Sequence, residues 1–253
     1  MIDMFRLDGK VALVTGAGRG LGQGMALGLA EAGADIAGLY SGTCDETKAA
    51  VEALGRRFLP IRCDLLQADV PALQAVVAQV VRELGSLDIL VNNAGIIRRA
   101  AALDFSVEDW DDVNQVNLRA LFFLSQAAAR HMAQKGGGKI IHVASMLSFQ
   151  GGIRVPAYTA AKSGVAGLTR AMANEWAPLK INVNAIAPGY MATDNTAALR
   201  ADAQRNAAIL ERIPAGDWGT PADLKGTVVF LASEASRYMH GAIVPVDGGW
   251  LAR

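Results

Sequence analysis

The sequence has little of several features that mark other classes of protein. Only two of its 253 residues are cysteines, Cys44 and Cys63, and their spacing fits neither a zinc site nor a disulfide framework. Basic and acidic side chains number 24 each, so the formal net charge is zero and the basic footprint of a nucleic-acid binder is missing. There is no polybasic segment for an anionic membrane and no apolar run long enough to span a bilayer. We therefore expect a cytoplasmic protein with reduced thiols that binds small molecules or copies of itself, and neither nucleic acid nor membrane.

The sequence also shows neither the pattern of a secretory leader nor the spacing of metal ligands. The first ten residues, MIDMFRLDGK, carry charges where a signal peptide needs an apolar core. The three histidines, His131, His142 and His240, lack the spacing of metal ligands. We expect no bound metal and interpret the histidines as surface or hydrogen-bonded core residues.

Hydrophobic residues make up 52% of the chain, and they fall into short apolar runs that alternate with longer helical patterns. Several runs are nearly continuous Val, Ile and Leu, which is typical of strands buried on both faces of a parallel sheet. The runs are Lys10–Thr15, Asp35–Leu39, Phe58–Cys63, Asp88–Asn92, Lys139–Ala144, Ile181–Ala187 and Ala242–Val246. The helical candidates are Leu21–Ala32, Ala72–Leu84, Trp110–Gln134, Tyr158–Trp176 and Pro221–Ala232. This alternation predicts an α/β fold, a single Rossmann-type doubly wound parallel sheet of about seven strands flanked by helices.

One segment lies outside the alternation. We treat residues 1–253 as a single dinucleotide-binding and catalytic domain, because no linker, repeat or low-complexity stretch divides them. Asp194–Arg212 is polar and helical and follows the end of a strand. Insertions at such positions act as lids over ligands in some enzymes and are ordinary surface helices in others. The sequence leaves both readings open for residues 189–213.

A glycine-rich loop joins the first strand to the first helix. Glycines at 16, 20 and 22 leave room for a tight turn and let backbone approach a diphosphate. The helix that follows supplies free N–H groups and a partial positive charge. Because a strand precedes the loop and a helix follows it, we favour a nucleotide site over a ligand-free turn.

The spacing of this loop is T-G-x-x-x-G-x-G, and at this point the chain resembles the short-chain dehydrogenase/reductase family. The resemblance continues through Asn92-Asn93-Ala94-Gly95, Asn117, Ser145, Tyr158-x-x-x-Lys162 and Pro188-Gly189, and it covers Lys10 to Gly249. Each motif alone is modest, but all of them in this order are highly specific. The resemblance implies an NAD- or NADP-dependent oxidoreductase that interconverts an alcohol and a ketone.

The spacing of Tyr158 and Lys162 points to the chemistry. Residues four apart on a helix share one face, so the two side chains project together. A phenol ionises near pH ~10 in water, and an ammonium held close lowers that value toward what a general base requires. Ser145 follows a strand on the ligand-binding edge of the sheet, where its hydroxyl can hold the substrate oxygen.

The family assigns further roles. It implies that Asn117, Ser145, Tyr158 and Lys162 are catalytic, that the lysine also holds the nicotinamide ribose, and that the asparagine anchors a water connected to the lysine. Asp64 matches the position that binds the adenine amino group. The implied cofactor residues are Gly16, Arg19, Gly20, Leu21, Gly22, Tyr40, Asp64, Leu65, Asn92, Ala94, Gly95, Tyr158, Lys162, Pro188, Gly189, Met191 and Thr193.

The charged residue that usually distinguishes NAD from NADP binding is missing from this chain. An acidic residue at the end of the second strand binds the ribose 2′-hydroxyl, and a basic residue takes a 2′-phosphate. Here Leu39, Tyr40 and Ser41 hold that place. Arg19 in the glycine loop can reach a 2′-phosphate, but no second basic residue follows the strand. We favour NAD and keep NADP as the alternative.

Several stretches go beyond the general family features. GIIRRA at 95–100, SMLSFQGGIRVP at 145–156 and PGYMATD at 188–194 resemble the group of 2-deoxy-D-gluconate 3-dehydrogenases, also described as 2-dehydro-3-deoxy-D-gluconate 5-dehydrogenases. This group acts in the breakdown of pectin-derived sugar acids. A planar guanidinium matches a sugar-acid carboxylate, so we take Arg154 or one of Arg98 and Arg99 as its partner. The substrate candidates are Arg98, Met146, Gln150 and Arg154.

Other readings remain. One is a 3-oxoacyl carrier-protein reductase or another sugar-alcohol dehydrogenase of the same family, and another is a catalytically silent dinucleotide-binding sensor or scaffold. The sensor should lack Ser145, Tyr158 or Lys162, all of which are present. A sugar-nucleotide epimerase needs a longer chain with a C-terminal substrate domain. Family members are typically tetramers, so we expect a homotetramer.

Overall fold

The structure is a computed structural model and describes residues 3–253. One sheet of seven parallel strands has the order β3-β2-β1-β4-β5-β6-β7. The strands are β1 (Val11–Thr15), β2 (Asp35–Tyr40), β3 (Phe58–Arg62), β4 (Ile89–Asn92), β5 (Gly138–Val143), β6 (Ile181–Pro188) and β7 (Ile243–Val246). The predicted fold class is confirmed, and every predicted run matches a strand to within one residue at either end.

Burial on both faces of the sheet explains the continuous apolar runs. All five residues of β1 and all eight of β6 are buried. Successive side chains point to opposite faces of a strand. Leu13 therefore belongs to the core under one layer of helices and Val14 to the core under the other. Because neither face meets water, polar residues have no regular place in these strands.

Helices cover both faces. They are α1 (Gly20–Glu31), α2 (Asp45–Ala53), α3 (Val70–Leu84), α4 (Val107–Asn114), α5 (Leu121–Lys135), α6 (Pro156–Trp176), α7 (Ala197–Ala201), α8 (Ala203–Arg212) and α9 (Lys225–Ala232). Buried residues of α1 and α9 share one core, and those of α3 and α5 share the other. In residues 3–253, no helix combines the length and the apolar character needed to cross a bilayer.

Three helical regions differ from the prediction. The helix predicted for Pro221–Ala232 begins with a 3-10 turn, Pro221–Leu224, and is α-helical only from Lys225. The helix α2 is absent from the predicted set because it buries only Thr47 and Val51 and is otherwise polar. The helix predicted for 110–134 starts three residues earlier and is interrupted by a π-helical segment, Gln115–Ala120, between α4 and α5. A π-helical segment keeps the apolar periodicity nearly continuous, so the sequence pattern does not reveal it. Such segments occur frequently at functional sites.

The topology creates a crevice at the carboxyl ends of β1 and β4. The chain winds from β1 toward β2 and β3 on one side, and from β4 toward β5, β6 and β7 on the other. Ligands of doubly wound sheets bind where the strand order reverses. The glycine loop follows β1 and the NNAG segment follows β4, so both line this crevice.

Candidate active site

The glycine loop has the shape of a diphosphate cradle. Gly16 and Gly20 adopt φ of 67° and 58°, a conformation that favours glycine. A Cβ at Gly22 would lie 2.1 Å from the carbonyl oxygen of Gly16. Arg19 precedes α1, and its side chain makes no capping hydrogen bond to the helix. The first N–H groups of α1 are therefore available to an anionic group, and the residues fit a dinucleotide phosphate.

The NNAG segment is fastened to the end of β1. The Thr15 hydroxyl accepts the backbone N–H of Asn93 at 3.0 Å and of Ala94 at 2.9 Å. The Asn93 side-chain amide donates to the carbonyl of Thr15 at 2.8 Å. Neither Thr15 nor Asn93 was among the predicted site residues, although both lie within quoted motifs. Asn92, which was predicted to bind the cofactor, is buried and directs its amide to Ser125, so only its backbone faces the crevice edge.

The segment after β6 approaches the glycine loop from the other side. A Cβ at Gly20 would lie 3.8 Å from Cγ2 of Thr193, and a Cβ at Gly189 would lie 2.5 Å from Cα of Asp247. Met191 is bridged to Gly219 in parallel fashion. The predicted cofactor residues from Pro188 to Thr193 thus border the same groove as Gly16–Gly22.

The remaining predicted cofactor residues lie at the ends of β2 and β3. Tyr40 is the last residue of β2 and pairs in register with Arg62 of β3. Asp64 follows β3, and its carboxylate accepts the N–H of Leu66 at 3.0 Å. Leu65 is buried, and its carbonyl accepts the Gln115 amide at 3.1 Å. These residues border the half of the crevice where an adenosine is held in this fold.

Ser145, Tyr158 and Lys162 come together at the end of β5. Ser145 follows the strand and caps the short turn Met146–Ser148 by accepting the N–H of Leu147 at 3.1 Å. Tyr158 and Lys162 project from the first turns of α6, and Tyr158 lies near enough to Ser145 for the serine hydroxyl to act on its pKa. The Lys162 amine lies 5.6 Å from the centre of the Tyr158 ring. Ala157 and Ala161, both fully buried, pack with Val113 of α4, so the start of α6 lies close to α4 here.

Comparison with known proteins agrees with this arrangement. The sequence profile of the family described as "Enoyl-(Acyl carrier protein) reductase" matches residues 16–251. A protein of Escherichia coli (strain K12) named 2-dehydro-3-deoxy-D-gluconate 5-dehydrogenase is 63% identical, with 100% of both chains covered. A Dickeya dadantii (strain 3937) protein of the same name is 59% identical, also over 100% of both. A crystal structure from Agrobacterium tumefaciens, provisionally named 2-deoxy-D-gluconate 3-dehydrogenase and holding NADP, is 55% identical, covers 99% of this chain and 100% of its own, and has a TM-score of 0.93.

The chain belongs to the short-chain dehydrogenase/reductase family. It is an oxidoreductase that uses NAD or NADP. The glycine loop, the NNAG segment and the group of Ser145, Tyr158 and Lys162 all lie around one crevice.

Burial is the largest influence on the pKa values of Tyr158 and Lys162. Burial raises the pKa of Tyr158, while the hydrogen bond with Ser145 and the charge of Arg99 act in the opposite direction. Burial lowers the pKa of Lys162 to about 8. The expected depression of the Tyr158 pKa by Lys162 is not seen, because the amine donates to the carbonyl of Val143 at 2.5 Å instead of to the phenol.

Asn117 lies in the π-helical segment and is 1% exposed. Its side-chain oxygen accepts the N–H of Ile96 and its amide donates to the carbonyl of Ile96, both at 2.8 Å. Two hydrogen bonds to one residue fix the chain that leaves the NNAG segment. In the dehydrogenase, Asn117 therefore holds one wall of the crevice in place.

The arginines among the substrate candidates differ in whether their side chains already form ion pairs. Arg98 is held by Asp109 and Asp112, each at 3.2 Å. Arg154 is exposed, has φ of 64°, and its carbonyl accepts the N–H of Ala100 at 3.1 Å. That bond joins the two loops bearing the arginines. Arg99, which the sequence offered only as one of a pair, is exposed, and its charge acts on Tyr158.

Met146 and Gln150 border the same part of the crevice. Met146 is buried against Ile209, Ile213 and Trp250. Gln150 is half-buried, and its N–H donates to the carbonyl of Met146 at 3.2 Å. Within residues 3–253, no group of three or more His, Cys, Asp or Glu side chains is arranged around a common point as metal ligands.

A buried polar network lies behind Lys162. His142 of β5 is completely buried, with Nδ1 2.9 Å from the Thr169 hydroxyl and Nε2 3.2 Å from the Ser125 hydroxyl. Burial, with a smaller contribution from Lys162, lowers the pKa of His142 to about 3. The interpretation of this histidine as a hydrogen-bonded core residue is confirmed. It ties β5 to α5 and α6.

We expect His142 to make the folded state sensitive to acid. The unfolded chain protonates this imidazole below a pH of about 6.5 while the folded state keeps it neutral down to about 3, so its contribution is full above 6.5 and is lost as the pH falls. Between pH 7 and pH 5 the loss is about 2 kcal/mol. Urea unfolding at both pH values checks this: His142→Gln should reduce the difference, and the matched change at exposed His240, whose pKa is also lowered by burial, should reduce it less. Equal acid sensitivity of His142→Gln and the unchanged protein contradicts the assignment.

Proposed function

We propose that this dehydrogenase interconverts a secondary hydroxyl and a ketone on a six-carbon deoxy sugar acid, the reaction of a 2-dehydro-3-deoxy-D-gluconate 5-dehydrogenase or a 2-deoxy-D-gluconate 3-dehydrogenase. The observation that carries the proposal is the full-length identity of 63% to the Escherichia coli protein of that name. Three arginines on the two loops flanking Tyr158 support it, because a sugar acid brings a carboxylate to be held. We also propose a cytoplasmic location, with which two free cysteines agree.

The catalytic residues divide the proton chemistry between them. In the oxidation, the Tyr158 phenolate takes the hydroxyl proton of the substrate, and in the reduction the Tyr158 phenol returns it to the nascent alkoxide. Ser145 lies beside Tyr158 and orients the substrate oxygen toward it. Lys162, with a pKa of about 8, is a group that exchanges protons near neutral pH beside the phenol. Residues Gly16–Gly22 would hold the diphosphate of a nicotinamide dinucleotide, which would supply the hydride chemistry.

A spectrophotometric assay tests the substrate. Absorbance of the reduced nicotinamide is followed with 2-dehydro-3-deoxy-D-gluconate, 2-deoxy-D-gluconate, D-gluconate and a 3-oxoacyl thioester, each with both cofactors. We expect turnover with a deoxy sugar acid to exceed that with the thioester by orders of magnitude. Preference for the thioester contradicts the proposal in favour of an acyl reductase, and no turnover with any of them favours the sensor.

Arg99 is the arginine best placed for the carboxylate. Arg98 is already neutralised by two aspartates, whereas Arg99 is exposed near the phenol. We expect Arg99→Ala to raise KM for the sugar acid by about 10- to 100-fold, the value of a lost charge-assisted hydrogen bond, with a smaller effect on kcat. Steady-state kinetics of Arg98→Ala is the matched control, since it removes the same charge one residue away. A larger KM effect for Arg98→Ala refutes the choice, and one for Arg154→Ala returns the role to the second loop.

We further propose that residues 189–213 form a lid over the substrate. The helix α8 packs through Ile209 against Met146, which directly follows Ser145. The Trp218 indole donates to the Asn206 side chain of α8 at 2.7 Å. The lid is thus attached to the substrate end of the crevice at its C-terminal side.

We also propose a homotetramer. Leu118, Phe122 and Leu168 leave a half-buried apolar groove between the π-helical segment, α5 and α6. Arg119 and Asp111 flank this groove with opposite charges, which suits a two-fold contact between identical faces. Light scattering coupled to gel filtration measures the mass directly, and a monomer refutes the assembly without affecting the catalytic proposal.

A further inference from the structure

An exposed ion pair joins the glycine loop to the proposed lid. Arg19 Nη1 donates to Asp194 Oδ2 over 2.8 Å, although the two residues are 175 positions apart in the chain. Their side chains are 80% and 73% exposed. Asp194 begins the short turn Asp194–Thr196 immediately after Thr193, the residue that lies beside Gly20. The pair therefore connects the two banks of the cofactor groove.

The position of Arg19 places it near the adenosine ribose. The residue before it, Gly18, packs on the segment after β2: a Cβ at Gly18 would lie 2.1 Å from the carbonyl oxygen of Thr43. In this fold the segment after β2 contacts the ribose 2′-position. A long side chain that starts one residue from this contact reaches the group attached there.

The charges around this position are few. Residues 40–44 are Tyr, Ser, Gly, Thr and Cys, and Arg19 is the only basic residue between 16 and 22. The first turn of α2 adds Asp45 and Glu46, which are acidic. Apart from Arg62, which ends β3 beside Tyr40, a 2′-phosphate in this place relies on Arg19, and Asp194 is already paired with Arg19. A 2′-hydroxyl is uncharged and needs no basic partner.

We infer that Asp194 determines the cofactor preference of this dehydrogenase, because a 2′-phosphate must displace its carboxylate from Arg19 before it can bind. NADP binding consequently separates the glycine loop from the start of the lid, whereas NAD binding leaves them joined. The inference rests on the nicotinamide chemistry of the family and is independent of the sugar acid.

Binding titrations test it without any substrate. The dissociation constants of NADH and NADPH are measured by fluorescence for the unchanged protein, Asp194→Asn, Arg19→Gln and the double variant. We expect Asp194→Asn to tighten NADPH binding about 5- to 10-fold and to change NADH binding less than about 2-fold. In the Arg19→Gln background, Asp194→Asn should give no gain. The gain should shrink in about 0.5 M KCl, because both side chains are exposed and are screened by salt.

The control is Glu175→Gln, which removes one exposed carboxylate at the far end of α6. It should leave both dissociation constants unchanged. Three results overturn the inference: an equal effect of Asp194→Asn on both cofactors, the same gain with and without Arg19, or an equal gain from Glu175→Gln. Because no sugar acid is present, failure of the proposed substrate leaves this test intact.

Discussion

Replacing Tyr158 with phenylalanine should reduce kcat for the sugar acid by about 10³-fold, the range expected when a general acid–base is lost. The ring stays, so the contact with Lys162 and the packing of α6 are kept and the affinity for NADH should change little. Stopped-flow or steady-state assays measure kcat, and fluorescence titration measures the cofactor. The matched change at Tyr238, which is 92% exposed, should have no effect.

The pH dependence sharpens this prediction. Because burial raises the pKa of Tyr158, the phenol is the main species at neutral pH. Alcohol oxidation uses the phenolate and should rise toward alkaline pH, while ketone reduction uses the phenol and should fall there. The residual activity of Tyr158→Phe should lack both slopes. A variant that keeps kcat within about 10-fold, or keeps the slopes, shows that another group moves the proton.

Replacing Gly22 with alanine should weaken NADH binding about 10- to 100-fold, because overpacking of this kind costs roughly 1–3 kcal/mol even where neighbours can move. Here they cannot move easily. The new Cβ would lie 2.1 Å from the Gly16 carbonyl oxygen and 2.5 Å from the Asn93 amide, so the loop must shift away from the diphosphate position. Fluorescence titration measures the affinity, and circular dichroism confirms that the variant is folded.

A second glycine provides the comparison. Gly226 lies in α9, is exposed, and a Cβ there would meet no atom within 4 Å. Gly226→Ala should bind NADH normally and unfold at the same or a slightly higher temperature, since alanine favours a helix over glycine. If Gly22→Ala keeps its affinity, the cofactor does not rest on this loop, and the cradle assignment is wrong.

The strands could be predicted from the sequence because a strand buried on both faces needs a nearly continuous apolar run. The run Lys139–Ala144 has apolar residues at 140 and 141 and again at 143 and 144, and its strand, β5, appears as expected. The helix α2 was missed because its stability comes from tertiary contact of Val51, and its own sequence is polar. Local pattern carries no information about such a contact.

The proximity of Tyr158 and Lys162 could be predicted from the sequence, but the influence of Lys162 on the pKa of Tyr158 could not. Helical spacing puts Tyr158 and Lys162 on one face, but the direction of a lysine amine depends on which acceptor the fold brings near, and here it is the carbonyl of Val143. The neutralisation of Arg98 likewise depends on Asp109 and Asp112 of α4, more than ten positions away in the chain. Both facts arise from packing between elements.

The small residues under α6 have a consequence for attempts to redesign this enzyme. Ala157 and Ala161 are fully buried and pack with Val113 of α4, so they set how closely the start of α6, which carries Tyr158, approaches α4. A larger side chain at either position pushes α6 away from α4 and displaces Tyr158 without touching the substrate. New specificities are therefore better sought by randomising the loops at 96–104 and 146–154, with both alanines left unchanged.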